Sequence, residues 1–137
     1  MTIAVLYATT FALFLGLDYI GLSYLIKPTF EKDIEPLLLD TPRIGPAFAF
    51  YAFFAACLLW FVSWPALQGN QSLTWVFASA ALLGAMAYGT YEFTNLATLK
   101  DWTWRMVATD LTWGTLLTAT SATFGVAVTR WLAPSLS

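Results

Sequence analysis

The sequence predicts an all-α integral membrane protein: a four-helix transmembrane bundle with a short amphipathic segment between helices 1 and 2. Three observations predict it. Of 137 residues, 59% are hydrophobic and only 10% are charged, and with a mean hydropathy of +0.69 the chain has too little polar surface to cover a soluble globule of its size. Four apolar stretches, at about residues 3–26, 47–66, 73–99 and 104–133, each approach or exceed the roughly 20 residues that cross a bilayer core. The charges collect between these stretches. No length remains for a second domain, so residues 1–137 are expected to form one four-span unit.

The first stretch has no basic leader and no small-residue cleavage site, which predicts a retained helix rather than a signal peptide. Its Phe11, Phe14, Asp18 and Gly21 share one helical face, turning Asp18 toward the bundle. The connection from Lys27 to Pro46 carries Pro28, Pro36, Pro42 and seven of the chain's charges. Within it Phe30, Ile34, Leu37, Leu38 and Leu39 make an amphipathic piece, read either as a helix on the membrane surface or as a solvated loop with one hydrophobic anchor. The second stretch is uncharged and crowded with Phe48, Phe50, Tyr51, Phe53, Phe54, Trp60, Phe61 and Trp64. Such rings serve as interfacial anchors near span ends, or as an apolar contact surface for a lipid, a pigment or another helix.

Gln68 to Gln71 then predict a tight turn into the third stretch, where Ala81, Ala85 and Gly89 recur every four residues and Glu92 continues their line. The fourth stretch has a matching row of Asp110, Gly114, Thr118, Ser121 and Gly125. Two helices with small-residue rows and a short turn between them should pack antiparallel, backbone close to backbone. Orientation follows from Lys27, Lys32, Arg43, Lys100 and Arg105 on the side of the first and third connections, against Arg130 alone on the other. By the positive-inside rule this predicts an inner (cytoplasmic) membrane protein of bacterial type with both termini periplasmic.

Depth then singles out three acids. Asp18, Glu92 and Asp110 each fall five to nine residues from the nearest basic residue of the charged side, roughly 8 to 14 Å at 1.5 Å per residue. Three helices thus place a carboxyl in one layer, with Asn95, Thr98 and Trp113 as further members of a polar cluster. An ionisable group inside a membrane is costly, roughly 2.5 to 3.5 kcal/mol on insertion scales, and marks a functional site by default. Three uses fit: protonated carboxyls bonding helices in register, a site for a cation, proton or lipid head group, and an acid/base centre. Trp102 and Trp104 are expected in the interfacial belt of the charged side, Trp131 in that of the opposite side.

The chain has no histidine and one cysteine, Cys57, which removes dithiol relays, His-ligated di-iron, zinc hydrolysis and axial haem ligation. No metal site is assigned. A net charge of −2 with only six Lys and Arg gives no basic surface for nucleic acid.

Three motifs, Phe14-Leu-Gly-Leu-Asp18, Tyr91-Glu-Phe-Thr-Asn-Leu-Ala-Thr-Leu-Lys100 and Asp110-Leu-Thr-Trp-Gly114, resemble domain-of-unknown-function family 2177, a family of bacterial predicted membrane proteins. The resemblance spans essentially the whole chain and implies four helices. It also implies an Asp where this chain has Glu92 and a Trp where it has Gly21. The functional expectation is a non-enzymatic inner-membrane protein, a small accessory or assembly subunit of a larger complex such as a photosynthetic or respiratory one, working by helix–helix and lipid or pigment contacts. The alternative is a membrane enzyme or carrier acting on a lipid or cation through Glu92, Asp110 and Asp18. Expected partners are membrane lipids and other transmembrane subunits, and the one kind of cofactor the composition leaves room for is a bound lipid, quinone or pigment.

Overall fold

In the computed structural model, which describes residues 1–133, four long helices follow one another: α1 (Thr2–Leu37), α2 (Ile44–Gln68), α3 (Leu73–Thr98) and α4 (Trp104–Leu132). There is no strand among the described residues, and each helix is long and apolar enough to cross a membrane. Residues 134–137 of the expected unit lie outside the described residues.

The first helix is longer than the sequence predicts. Its buried residues recur every four, at Thr2, Leu6, Thr10, Phe14 and Asp18, and after a π-helical segment at Leu22–Ile26 the row resumes with Phe30 and Ile34. Pro28 therefore does not end it. A proline lacks the N–H for the helical ladder, and its ring crowds the carbonyl four residues back, so a widened turn just before it absorbs the misfit. The same device recurs in α2, where the π segment Leu59–Ser63 precedes Pro65. The amphipathic piece is thus a continuation of α1. Its Phe30 and Ile34 pack on Trp102, Met106 and Val107, while Leu37, Leu38 and Leu39 stay exposed. The apolar N-terminus of α4 offers those two side chains a protein surface, and this fixes the arm.

Helix α4 is the centre of the bundle. It buries twelve residues, against four on α3, and its most extensive contacts are with α3 and then α1. Both helices of the hairpin begin on a side-chain cap: Ser72 Oγ accepts from Trp75 N at 3.0 Å and Thr103 Oγ1 from Met106 N at 3.2 Å. Such caps satisfy backbone donors that the first turn leaves free. At the other end Arg130 donates to the carbonyls of Ala66 at 3.2 Å and Gln71 at 2.6 Å, tying α4 to the α2–α3 turn.

The small-residue contact exists, in a register one residue earlier on α3 than expected. A Cβ on Gly84 would lie 2.7 Å from Thr118 Cβ and 3.1 Å from the Gly114 carbonyl. On Gly114 it would run into the Tyr88 ring, and on Gly125 into Thr10. The inner row of α3 is therefore Ala80, Gly84, Tyr88 and Glu92. Ala81, Ala85 and Gly89 are only half-buried, and a Cβ on Gly89 would meet nothing nearer than Leu111 at 3.6 Å. Two rows of small residues lie side by side on this helix, and the one that is buried is set by the groove at Gly114 on α4.

Candidate functional site: a buried carboxyl cluster

Antiparallel packing sets the acids at one level. Glu92 stands six residues before the end of α3 and Asp110 six after the start of α4, and Asp18 lies on the buried row of α1. All three are removed from solvent: Glu92 is 0% exposed, Asp18 3% and Asp110 8%. Asp110 is the middle member, its carboxyl facing Glu92 on one side and Asp18 on the other.

No cation balances them. Among the described residues the ion pairs are Lys27 with Glu31 and Arg105 with Asp33, both outside the cluster. Nor do any three carboxylates among the described residues converge closely enough to hold a metal ion. What surrounds the acids is phenol and indole. Trp102 Nε1 donates to Glu92 Oε1 at 2.9 Å, a buried bond, whereas Glu92 Oε2 has no partner. The Asp18 carboxyl faces the Tyr51 hydroxyl and the Trp113 indole, yet Trp113 Nε1 also lacks a partner. Tyr88 lies beside Asp18 and Asp110, and Tyr91 beside Glu92 and Asp110. A buried polar atom without a partner costs about 1 to 3 kcal/mol, and more when charged. Thr10 Oγ1, Ser63 Oγ, Ser121 Oγ and Arg130 Nε also lack a partner among the described residues, and Glu92 Oε2 and Trp113 Nε1 are the two that lie among the acids.

Of the residues assigned from sequence, Asp18, Glu92, Asp110 and Trp113 come together. Trp113 packs directly over Gly21, whose missing side chain makes room for the indole. Asn95 sits half-buried at the rim, beside the Tyr91 hydroxyl. Thr98 is exposed and donates to the Thr94 carbonyl of its own helix at 2.9 Å, away from the acids; six residues beyond Glu92 it has passed onto another face. Trp102 is not a belt residue. It is 9% exposed, held between Phe30 and Tyr91 in edge-on ring contacts at 5.4 and 5.7 Å. Trp104 and Trp131, by contrast, are exposed. That Tyr51, Tyr88 and Tyr91 stand beside the acids is not evident from sequence, because a tyrosine in an apolar span looks like an aromatic filler. The signal available was spacing: Tyr88 and Glu92 lie four apart on one helix face.

Outside the cluster, the charged end is drawn together by Asp33. Its carboxylate accepts from Thr103 Oγ1 at 2.7 Å and from Arg105. Asp33 follows the apolar stretch of residues 3–26, in the charged connection, and the Thr103 hydroxyl, with Arg105 beside it, holds its carboxyl below the usual carboxylate range.

No curated protein and no solved structure matches the chain. A family model described as predicted membrane protein (DUF2177) matches residues 3–127, a stretch that contains all three buried acids and all four helices but for the first residue of α1 and the end of α4. The chain belongs to that family of predicted membrane proteins.

Proposed function

We propose that the protein is a non-enzymatic, multi-pass inner-membrane protein that serves as a small accessory or assembly subunit of a larger membrane complex. The observation that carries this reading is the state of α2. From Ile44 to Phe53 it has no fully buried residue, and Phe48, Phe50, Phe53, Trp60 and Phe61 are all more than half exposed. Lipid alone requires only aliphatic side chains there. Flat rings with few rotatable bonds lose little entropy when immobilised and are enriched where protein surfaces meet. The exposed rings of α2, spread along most of its length, thus offer a ready surface for another transmembrane helix, a lipid or a pigment. The basic residues Lys27, Lys32, Arg43, Lys100 and Arg105 support placing that end in the cytoplasm and both termini in the periplasm.

Purification from native membranes in mild detergent tests it. The expected result is co-migration with other membrane subunits, abolished in a Phe53→Ala/Trp60→Ala/Phe61→Ala variant whose thermal stability matches wild type. A wild-type protein that runs as a free monomer with no protein, lipid or pigment attached would overturn it.

A second reading, a membrane enzyme or carrier for a lipid or cation, is favoured by the unpartnered Glu92 Oε2. Under it Glu92 is the acid/base or ligand, with Asp110 and Asp18 as electrostatic partners. Glu92→Gln preserves shape and separates the two: a changed lipid profile or a lost ion flux in proteoliposomes supports the second reading, and an unchanged one the first.

A further inference from the structure

We propose that the arm of α1, residues 27–37, is a lid over Glu92, and that Glu92 exchanges a proton with the solution at the charged end when this lid opens. The inference holds whether or not the protein is a subunit of a complex, and it assigns the carboxyl cluster a ligand and an entrance.

The chain of contacts is short. Phe30 and Ile34 of the arm cover Trp102, the Phe30 ring standing edge-on to the indole at 5.4 Å. The N–H of the same indole is bonded to Glu92 Oε1. Trp102 thus touches both the arm and the acid. Behind it Glu92 Oε2 points into the cluster with no partner, on a residue 0% exposed. The ionisable groups facing Glu92 are Asp110 on α4 and Tyr91 on its own helix, with Asp18 of α1 and Tyr51 of α2 beyond Asp110. All are acids or phenols, so the charge this group of side chains lacks is positive, and a proton is the cation that fits a space closed to water.

The arm is also built to move. Its root is the π segment Leu22–Ile26 followed by Pro28, where the helical ladder is irregular and lacks a donor, so bending there breaks fewer bonds than elsewhere in α1. The Thr29 hydroxyl bonds the Leu25 carbonyl at 2.9 Å across this joint. Its tip is fastened by Asp33 to Thr103 and Arg105, polar contacts at the surface that water can replace. On opening, the proton on Glu92 passes to water; before closing, hydronium returns it. No other bond forms or breaks.

Site-resolved carbodiimide labelling of the full chain in lipid nanodiscs tests this, because carbodiimides add to protonated carboxyls. With a water-soluble carbodiimide, Glu92 should label slowly in wild type, several-fold faster in Phe30→Ala, and modestly faster in Asp33→Asn. An Asp33→Cys/Thr103→Cys pair in a Cys57→Ala background should slow labelling several-fold when oxidised and restore it on reduction. Misfolding accelerates labelling, so it cannot imitate that reversible slowing. Equal rates in wild type, arm variants and the oxidised pair would overturn the lid. So would labelling by a lipid-soluble carbodiimide alone at a rate indifferent to the arm, which places the entrance in the bilayer. Absence of Glu92 labelling in every variant would overturn the exchangeable proton itself.

Discussion

The two ends of the contact between α1, α3 and α4 are made of the same helices and solve opposite problems. At the end bearing the N-terminus of α1, Leu6, Val76, Ala80, Ala122 and Val126 form a closed apolar core, and Gly125 admits Thr10 so closely that a methyl group would collide with it. The Thr118 and Thr129 hydroxyls here bond back to the Gly114 and Gly125 carbonyls of their own helix at 2.7 Å each, while those of Thr10, Ser63 and Ser121 fit against neighbouring groups without a partner. At the charged end the inner row of α3 grows from Ala80 and Gly84 to Tyr88 and Glu92, and the core fills with rings and carboxyls. Lipid supplies no hydrophobic force between helices, so the first end holds by fit and the second by polar partners. One end therefore has nowhere to move, and the other holds three acids with incomplete bonding.

The largest effect should come from breaking the fitted end. Gly84 lies against Thr118 Cβ and the Gly114 carbonyl, and the backbone of α4 cannot step aside. Gly84→Ala should cost about 1 to 3 kcal/mol by overpacking, and Gly84→Leu should abolish a monodisperse folded species. Thermal unfolding in detergent measures both. If Gly84→Leu unfolded like wild type, the close approach of α3 to α4 would be wrong.

Next in size is the polar end, probed through one bond. Trp102→Phe keeps the ring against Phe30 and Tyr91 but removes the donor to Glu92, leaving the carboxyl with neither oxygen bonded. The expected loss is about 1 to 3 kcal/mol, the cost of leaving a buried polar group without its partner. Glu92→Gln should cost less, since it keeps an acceptor for the indole and gives the unpartnered side an N–H. In a double-mutant cycle the two changes should couple by roughly 0.5 to 3 kcal/mol; strict additivity would mean that the bond contributes nothing.

How much of this was legible depended on whether a feature belongs to one helix or to two. The four spans, the common level of Asp18, Glu92 and Asp110, and the small residues Gly114 and Gly125 follow from hydropathy and from 1.5 Å per residue, properties of single segments. The row on α3 does not. Ala81, Ala85 and Gly89 are as small and as regularly spaced as Ala80 and Gly84, and only the groove on α4 chooses between them. Trp102 failed for the same reason, since a Trp beside Lys100 and Asp101 looks interfacial until the arm of α1 folds over it. The arm was hidden by Pro28, which signals an interruption unless the turn before it widens. Its apolar spacing of Phe30 and Ile34 was visible, but its docking partner was not.

A smaller effect belongs to Arg130, which anchors the fitted end from outside. Arg130→Ala removes two donors from the carbonyls of Ala66 and Gln71 without touching the core. The expected loss is roughly 1 to 2 kcal/mol by the usual value of such bonds, with faster proteolysis at Gly69 to Ser72 as a local readout. Full stability in this variant would show that the turn is held by Asn70, whose positive φ of 51° already suits a tight reversal.

The smallest stability effect should come from the charged end, at the tip of the arm. Asp33 is bound by Thr103 and Arg105 at the surface, where water and salt compete with both, while the hold of the arm comes chiefly from burying Phe30 and Ile34. Because its folded carboxyl titrates below the usual range, the contribution of Asp33 is complete at neutral pH and is lost only as acidification passes through that lowered value. The protection of backbone amides over residues 27–37, taken relative to the intrinsic exchange rate at each pH, should therefore stay constant between neutral and mildly acidic pH in wild type, and be lower at every pH in Asp33→Asn. The unfolding midpoint should scarcely move in either protein. Protection that fell in wild type on mild acidification would place control of the arm in a group other than Asp33.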